Sequence, residues 1–483
     1  MRINIYYFLL AAVVLAGGSC RKLIAISDPV NTITSKAVFN TNEKANSAMA
    51  GIYTKMINGL NPSNNSAYSY FSDGLTTLLT GLSSDEFTFR NSAFYYTLFN
   101  TNKLLYNSAG SELWTTAYDA IYGANGVLEG IAASTSPALT DSVRKRLTGE
   151  AKFIRAFCYF YLTNLYGDVP LALTVDFNKT IRMARTAQAK VYEQVVADLK
   201  DAQGLLASDF SAGGGERVLP NKWAATALLA RVYLYLGQYG DAATEASAVI
   251  GASSMFGLPT DLNSVFLVNS HEAIWQLKQS TDMPGLGTAT PEGSVLLPNM
   301  VGGFPTLFGL SDQLMNAWEV GDGRRAAWVG EDNTVTSLPF YAYKYKTGLD
   351  NFQVGVPPAE YYMVLRLAEQ YLIRAEAMAH GAAGGAAAAI ADLNVIRHRA
   401  GLGDLDASLS GDALLAAVAH ERQVELFAEW GHRWLDLKRT GKAHEVLSQI
   451  PMKQPWAGDY QLLYPIPFTE IQNDPQLKQN EGY

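Results

Sequence analysis

Apolar residues recur every three or four positions along most of this chain, which is the spacing of one face of an α-helix. The segment Thr41–Ile57 opens with a Thr-Asn pair suited to a helix cap and then repeats apolar residues at this spacing. The same pattern predicts further helices over Ser111–Ile131, Ser142–Leu165, Ala187–Leu206, Lys222–Leu236, Asp241–Ile250, Tyr361–His380, Ala386–Arg399 and Asp412–Leu437. Short strands are predicted in Val265–Leu277 and Phe340–Lys346, and Pro170–Val175 is expected to be extended. The predicted fold class is therefore mostly α.

One pair of predicted helices has the layout of a tetratricopeptide repeat. In Asn221–Ile250 a helix of alanines and large apolar residues ends at the Leu-Gly-Gln-Tyr turn of residues 236–239, and a second alanine-rich helix follows. Small alanines let two helices pack closely, and the glycine turn reverses the chain. A second copy is predicted at Tyr361–Arg399, with an arbitrary antiparallel helix pair as the alternative for both. We therefore expect a scaffold of helical pairs.

Two long segments lack helical periodicity and are predicted to be irregular insertions. Asn58–Ser111 contains nine Tyr and Phe residues that we single out among Ser, Asn, Asp and Gly, and Ser280–Ser311 is rich in Pro and Gly. Long loops in a compact domain are usually functional or disordered, and aromatic residues argue against disorder because they can bury surface. Helices of the scaffold use their apolar faces on each other, so we expect the two insertions to meet and form the ligand surface.

The first twenty residues indicate export. Their apolar run from Ile5 to Ala16 is too short to span a bilayer and precedes a small-residue patch that ends at Cys20. Such a patch resembles the lipobox of bacterial lipoproteins, which predicts a signal peptide over residues 1–19 and a lipid-anchored body over residues 20–483. An ordinary secretory signal with an incidental Cys20 is the alternative, since Gly17 stands where a strict lipobox prefers Leu.

Charge and composition exclude several classes of function. The formal net charge is −8, which argues against nucleic acid as a partner because phosphates are bound by Lys and Arg. The other cysteine, Cys158, lies in an apolar run and is predicted to be a small buried residue. Histidines at zinc-ligand spacing, phosphate loops and nucleophile elbows are absent from the sequence, so neither a metal nor a cofactor is predicted. The adjacent carboxylates of Asp85 and Glu86 leave an all-α glycoside hydrolase as a minor alternative.

The densest charge pattern lies in Glu421–Arg439. Glu421, Glu425 and Glu429 repeat every four residues and are predicted to share one helix face, with Arg433 one turn beyond Glu429 for an i,i+4 ion pair. Leu and Trp residues occupy another face. We interpret this segment as a structural helix whose ion pairs orient it against its neighbours.

Several motifs, in this order along the chain, make the protein resemble the SusD/RagB family. They are RAFCYFYLTNLYGDVPL (Arg155–Leu171), RLAEQYLIRAEAMA (Arg366–Ala379), LNVIRHRAGL (Leu393–Leu402), ERQVELFAEWGHRWLDLKRTGK (Glu421–Lys442) and LLYPIPFTEIQNDPQLKQNEGY (Leu462–Tyr483). The stretch Leu310–Arg325 also looks like the family's apolar helix followed by an Asp-x-Arg turn. The resemblance covers essentially the whole mature chain and implies an N-terminal SusD-like region over residues 22–236 and a C-terminal SusD/RagB region over residues 270–483.

The resemblance implies a function as well as a fold. It implies a lipid-anchored, surface-exposed protein of the bacterial outer membrane that captures poly- or oligosaccharide and delivers it to a SusC-like TonB-dependent transporter, without catalysis. A peptide-binding member of the same scaffold is the alternative. Ser84-Asp85-Glu86 resembles a Ser-Asp-Glu that often lies near the family's binding region, which makes Asp85 the polar candidate. Sugars also need flat apolar surface. The aromatic candidates are Phe87, Phe94, Tyr95, Tyr96, Phe304 and Phe308.

Overall fold

The computed structural model describes residues 38–58, 70–91, 93–107, 111–281, 287–303 and 305–483. Cys20, the predicted signal peptide and Phe304 therefore lie outside the described residues. The helices are α1 (Asn42–Asn58), α2 (Thr76–Ser83), α3 (Phe94–Asn100), α4 (Ser111–Ala133), α5 (Asp141–Tyr166), α6 (Phe177–Thr180), α7 (Gln188–Leu205), α8 (Lys222–Tyr235), α9 (Tyr239–Gly251), α10 (Pro291–Leu296), α11 (Asp312–Met315), α12 (Gly323–Trp328), α13 (Leu367–Ala379), α14 (Gly385–Arg399), α15 (Gly411–Glu425), α16 (His432–Arg439), α17 (Ala443–Leu447) and α18 (Phe468–Asn473). A π-helical turn, Phe71–Leu75, precedes α2, and short 3-10 turns lie at Ser211–Gly213, Leu262–Ser264, Pro451–Lys453 and Asp459–Leu462.

The predicted helical-pair scaffold is confirmed. Helices α1, α4, α5, α7, α8, α9 and α14 match their predicted bounds to within two residues at each end. They pack in succession, α4 on α5, α5 on α7, α7 on α8, α8 on α9, α9 on α13 and α13 on α14. Gly237 reverses the chain between α8 and α9 with a φ of 68°, a left-handed conformation that glycine adopts without steric cost. Each pair thus supplies a surface for the next.

Buried arginines tie this stack of helices together. Arg155 of α5 donates two hydrogen bonds of 2.8 Å to Asp198 of α7 and one of 2.9 Å to Asn125 of α4. Arg231 of α8 donates to both oxygens of Glu369 in α13, at 2.6 Å each. Bidentate pairs of this kind fix the orientation of both side chains, so they set how neighbouring helices meet.

The strands form three two-stranded antiparallel sheets in the described part of the chain. The strands are β1 (Phe87–Phe89), β2 (Ala273–Leu277), β3 (Phe308–Leu310), β4 (Val329–Glu331), β5 (Phe340–Ala342) and β6 (Tyr362–Arg366), and the pairs are β1 with β3, β2 with β6 and β4 with β5. The predicted strand segments are longer than β2 and β5, and residues 170–175 form no strand element. The predicted helix Tyr361–His380 is corrected at its start, because β6 occupies its first residues. Every residue of β6 is buried, so its sequence lacks the alternation that marks a half-buried strand.

The predicted helix Asp412–Leu437 is broken in two. Helix α15 ends at Glu425 and α16 begins at His432, with Ala428, Trp430 and Gly431 between them at φ values of 53°, 50° and 74°. The Trp430 indole N–H donates to the Met363 carbonyl at 2.8 Å, and its backbone N–H donates to Thr77 Oγ1 at 2.9 Å. Tertiary hydrogen bonds therefore hold a left-handed joint that helix periodicity cannot reveal.

A network of buried charges surrounds this joint. Glu425 accepts hydrogen bonds from Arg324 at 2.9 Å, from Arg366 at 2.6 Å and from Arg399. Glu429 accepts two from Arg366, at 2.7 and 2.8 Å, and one from Lys344. Burial alone would raise the pKa of Glu425, but the three guanidinium groups lower it well below its usual value. The interpretation of this segment as structural agrees with that network, whereas the predicted Glu429–Arg433 pair is wrong.

The first insertion is more ordered than predicted. Residues 71–83, which the sequence analysis assigned to an irregular segment, form the π-helical turn and α2, and each of them is buried. The sequence does show helical spacing here, but the run is short and lies among Ser, Thr, Asp and Gly, which favour loops; its apolar positions are Leu75, Leu78, Leu79 and Leu82. Gly431 contacts α2 so closely that a Cβ there would lie 2.3 Å from Thr80 Oγ1.

Candidate functional site

The two insertions meet in the small sheet of β1 and β3. Phe87 pairs with Leu310, Thr88 with Gly309 and Phe89 with Phe308. Ahead of this sheet, the Ser311 backbone N–H donates to the Glu86 carbonyl at 2.9 Å and its hydroxyl donates to the Asp85 carbonyl. The expectation that Asn58–Ser111 and Ser280–Ser311 come together is therefore confirmed for their described residues.

An aromatic cluster lies between this sheet and α3. The Phe89 and Phe308 rings are 5.3 Å apart, and the Tyr96 ring contacts them at 5.0 and 5.1 Å respectively. Tyr95 meets Tyr96 edge to face at 5.1 Å and donates a 3.2 Å hydrogen bond to Glu112. Edge-to-face contacts hold rings in fixed orientations. The cluster thus holds β1, β3 and α3 in fixed positions relative to one another.

The predicted aromatic ligand residues differ in exposure. Phe94, the first residue of α3, is 63% exposed, whereas Tyr95 and Tyr96 are half-buried against the core. Phe87 and Phe308 are only 3% and 1% exposed. These two are corrected from ligand contacts to support, because a buried ring offers no face to a sugar. Contact of Phe94, Tyr95 and Tyr96 with ligand stays a prediction, and Phe304 lies outside the described residues.

Asp85, the predicted polar ligand contact, is also corrected to a supporting residue. Its carboxylate is buried and accepts two hydrogen bonds of 2.7 Å from Arg433 of α16, one on each oxygen. Burial alone would lower the pKa of Arg433, but its hydrogen bonds with Asp85 raise it above its usual value. The pair fastens the start of β1 to the helical body. Arg433 thus binds a carboxylate 348 positions away and not the predicted Glu429.

Two further buried groups lie beside this ion pair. Burial raises the pKa of Glu86 to about 8, with the Asp85 charge adding to the rise and Arg433 and Lys344 opposing it. Lys453 donates to the carbonyls of Leu82 and Asn100 at 2.8 and 3.1 Å, and burial lowers its pKa to about 7. Asp85 is bound by Arg433 and Glu86 is buried, so neither carboxylate is presented to a substrate as a glycosidase acid or base would be.

Arg90 is a residue that the sequence analysis missed. It follows β1, donates to the Thr306 carbonyl at 2.9 Å and to the Phe340 carbonyl at 3.3 Å, and its backbone N–H donates to the Leu307 carbonyl at 2.9 Å. One side chain therefore connects both insertions and β5. Its partners are more than 200 positions away, so sequence spacing carries no signal for this role.

The exposed residues of the two insertions include several large apolar side chains. Besides Phe94, exposed large side chains include Met300, Val301 and Leu307 of the second insertion. The turn that presents Met300 and Val301 is fixed by Asp350, which accepts their backbone N–H groups at 2.7 and 3.0 Å. Within the described residues, no group of three or more His, Cys, Asp and Glu is placed to hold a metal ion. The exposed apolar side chains of the insertions suit contact with the apolar face of a ligand.

Comparisons with known proteins give the family. A family profile described as "Starch-binding associating with outer membrane" matches residues 32–234, and one described as "SusD family" matches residues 331–483. The chain belongs to the SusD/RagB family. SusD-like protein P2 of Formosa agariphila is 28% identical over 427 residues, which cover 78% of this chain and 81% of that protein. The resemblance found in the sequence is thereby confirmed.

Solved structures show the same fold. A laminarin-binding SusD-like protein superposes with a TM-score of 0.74 at 24% identity and covers 92% of this chain and 100% of that chain. Surface glycan-binding protein A from Bacteroides thetaiotaomicron, in complex with laminarihexaose, superposes with a TM-score of 0.76 at 19% identity and covers 91% and 99%. The SusD/RagB family is one of carbohydrate-binding, non-catalytic proteins associated with the outer membrane.

Two findings complete this picture. None of the helices in the described ranges is both long enough and apolar enough to cross a membrane. Cys158 is fully buried in α5, as predicted, and burial raises its pKa well above the usual value for a thiol. A thiol that stays protonated and inaccessible serves as a small packing residue.

Proposed function

We propose that this protein is a surface-exposed glycan-binding lipoprotein that captures poly- or oligosaccharide and passes it to a SusC-like TonB-dependent transporter of the outer membrane. Family membership supports the glycan role, and laminarin and laminarihexaose are ligands of two proteins with the same fold. The proposed ligand surface consists of the exposed side chains on the joined insertions, with Phe94, Tyr95 and Tyr96 as aromatic contacts.

The observation that carries this proposal is the construction of the insertion surface. Buried rings, the β1–β3 sheet and the Asp85–Arg433 pair fix the insertions on the body, while Phe94 and apolar side chains of the second insertion remain in water. Exposed apolar patches on soluble domains often mark interaction sites. Flat apolar surface is also what the C–H face of a sugar ring requires.

A glycan panel tests the role directly. The purified protein is titrated with laminarin, laminarihexaose, starch and xylan and with mixed peptides, and each mixture is assayed for new reducing ends. We expect saturable binding to at least one glycan without released ends. Binding of peptides alone would move the function to peptide capture, and released reducing ends from a bound glycan would move it to hydrolysis.

The lipid anchor has a separate test. Cys20→Ser removes the thiol that would carry the acyl chains, so we expect the protein to leave the membrane fraction while its melting temperature is unchanged. The comparison is made in cells lacking the transporter partner, since a transporter could hold the protein by contact alone. A variant that stays in the membrane fraction of those cells would contradict an anchor at Cys20. A wild type that is already absent from that fraction would favour the secretory-signal alternative for residues 1–19.

A further inference from the structure

A loop outside the two insertions carries a tryptophan whose ring is held in one orientation. Trp456 lies between the 3-10 turns Pro451–Lys453 and Asp459–Leu462. It is half-buried, because part of its side chain packs against the core while the rest remains in water. Its indole N–H donates a 2.9 Å hydrogen bond to Asp459 Oδ1. This bond sets the direction of the ring and therefore of the ring surface that water reaches.

A histidine shares the same carboxylate. His444 of α17 lies with Nδ1 at 2.8 Å from Asp459 Oδ1, and its ring meets the Trp456 ring edge to face with the centroids 6.3 Å apart. The hydrogen bond with His444 lowers the pKa of Asp459, burial opposes this change, and the bond from Trp456 adds to the lowering. Asp459 is therefore an ionised acceptor at neutral pH.

Two atoms of this group are open to a ligand. Within the described residues, neither Asp459 Oδ2 nor His444 Nε2 has a hydrogen-bond partner. The side chains of His444 and Asp459 are 61% and 56% exposed, so both atoms belong to accessible side chains. Because Asp459 is an ionised acceptor, the shared bond places the His444 proton on Nδ1. Nε2 of the neutral ring is then an acceptor as well.

Two acceptors beside an oriented indole match the chemistry of a sugar. The hydroxyl groups of a sugar ring donate hydrogen bonds around its edge, and its flat C–H face needs apolar surface. The carboxylate of Asp459 repels an anionic ligand at this position. The group therefore suits a neutral sugar unit in preference to an acidic one.

The loop adjoins the first insertion. The side-chain amide of Asn100, the last residue of α3, donates to Met452 Sδ at 2.6 Å, and Lys103 Nζ donates to the Gln454 carbonyl at 3.2 Å. Phe94 is the first residue of α3, whose seven residues make about 10 Å of helix. Phe94 and the Trp456 loop thus lie toward opposite ends of α3, a separation that a chain of several sugar units spans.

We propose that Trp456, His444 and Asp459 form a second saccharide site, which takes one unit of a neutral polysaccharide. The indole stacks on the C–H face of that unit, while Asp459 Oδ2 and His444 Nε2 accept hydrogen bonds from its hydroxyl groups. The proposal rests on the glycan role proposed above, because it extends the same ligand from the insertion surface to this loop.

Calorimetric titration with tryptophan variants tests this site. The probes are starch, laminarin and unsubstituted xylan, with alginate as the anionic probe. The matched control is Trp223 at the start of α8, which is also half-buried against the core and donates its indole N–H to the Ser208 carbonyl at 2.9 Å. We expect Trp456→Ala to weaken the neutral polysaccharide that binds best roughly 2- to 10-fold, the scale of one aromatic contact, and Trp223→Ala to leave it unchanged. Asp459→Ala should weaken it roughly 3- to 10-fold at an unchanged melting temperature, because this side chain is exposed.

The outcomes separate this site from the glycan role itself. A wild type that binds none of the probes would overturn both proposals. Binding of a neutral polysaccharide that Phe94→Ala weakens but Trp456→Ala and Asp459→Ala leave unchanged would overturn the loop site alone. The loop site is also overturned if Trp456→Ala and Trp223→Ala lose affinity equally, or if alginate is the only probe whose affinity depends on Trp456. Should Trp456→Ala fail to fold, Asp459→Ala decides, and unchanged affinity in that variant overturns the proposal.

Discussion

The charge network around Glu425 and the insertion surface around Phe94 differ in which side chains are exposed to water. Around Glu425, charged side chains are almost fully buried and form ion pairs with one another. The cationic members are Arg324, Lys344, Arg366 and Arg399. On the insertions, Phe94 and the apolar side chains of Met300, Val301 and Leu307 remain exposed to water. A folded chain tolerates the first arrangement only when every charge is paired. Apolar side chains exposed to water cost free energy, and an exposed apolar patch is expected where a protein binds a partner.

This difference separates residues that hold the fold from residues that we propose to contact a ligand. Substitution in the charge network should change the free energy of unfolding, whereas substitution on the insertion surface should change affinity. The Asp85–Arg433 pair lies between the two regions and connects them.

The largest effect is expected from Arg366→Ala. Arg366 binds Glu272, Glu425 and Glu429, so its loss removes one cationic partner from each of three buried carboxylates. We expect the free energy of unfolding to fall by about 3–5 kcal/mol in guanidinium titrations. The control is Lys442→Ala, which breaks an exposed pair with Glu445 and should leave unfolding unchanged. Equal effects of the two variants would contradict the assigned role of the network.

A smaller loss of stability is expected from Arg433→Ala. This side chain is slightly exposed and binds one carboxylate, so we expect a loss of about 1–3 kcal/mol. Affinity per folded molecule should stay within about twofold, because Asp85 and Arg433 support the insertion surface from below. Lost affinity at an unchanged melting temperature would show that the ligand site lies at this ion pair.

The dependence of stability on pH tests Glu86. Its pKa is about 8 in the folded protein against 4.5 for an ordinary glutamate, so the folded state holds a proton that the unfolded state releases between these values. This contribution is complete below pH 4.5 and is lost as the pH rises to about 8. Glu86→Gln should therefore remove a decline of up to about 1.4 kcal/mol per pH unit between pH 5 and 8. The exposed substitution Glu481→Gln is the control, and equal slopes in the wild type and Glu86→Gln would refute the assignment.

The sequence predicted the main helices of the scaffold more accurately than the short elements and connections between them. Helices with one apolar face, such as α4 and α7, were found because their periodicity reflects a single buried side. Strand β6 is buried on both faces and lacks the alternation of a half-buried strand, and helix α2 is only eight residues long in a segment rich in Thr, Ser and Gly. The joint between α15 and α16 depends on hydrogen bonds from Trp430 to residues far away in sequence.

Only part of the candidate site could be predicted, because the rest depends on contacts between residues that are far apart in sequence. Long aromatic-rich segments indicated the two insertions, and the structure joins them through β1 and β3. Which rings face water depends on tertiary packing, so the sequence could not separate exposed Phe94 from buried Phe87 and Phe308. The partner of Arg433 was missed because a favourable i,i+4 spacing to Glu429 is a local rule, whereas the ion pair with Asp85 is formed by the fold.

The most direct test of the account compares two phenylalanines of nearly equal exposure. Phe94 is 63% exposed on the insertion surface and Phe177 is 66% exposed on α6. Calorimetric titration of the glycan that binds best in the panel is carried out with the wild type, Phe94→Ala and Phe177→Ala. The account predicts that Phe94→Ala weakens binding by roughly 0.5–2 kcal/mol, the scale of an aromatic contact, with an unchanged melting temperature. Phe177→Ala should bind as the wild type does. Unaltered affinity in Phe94→Ala, or an equal loss in both variants, would contradict a ligand site on the insertions.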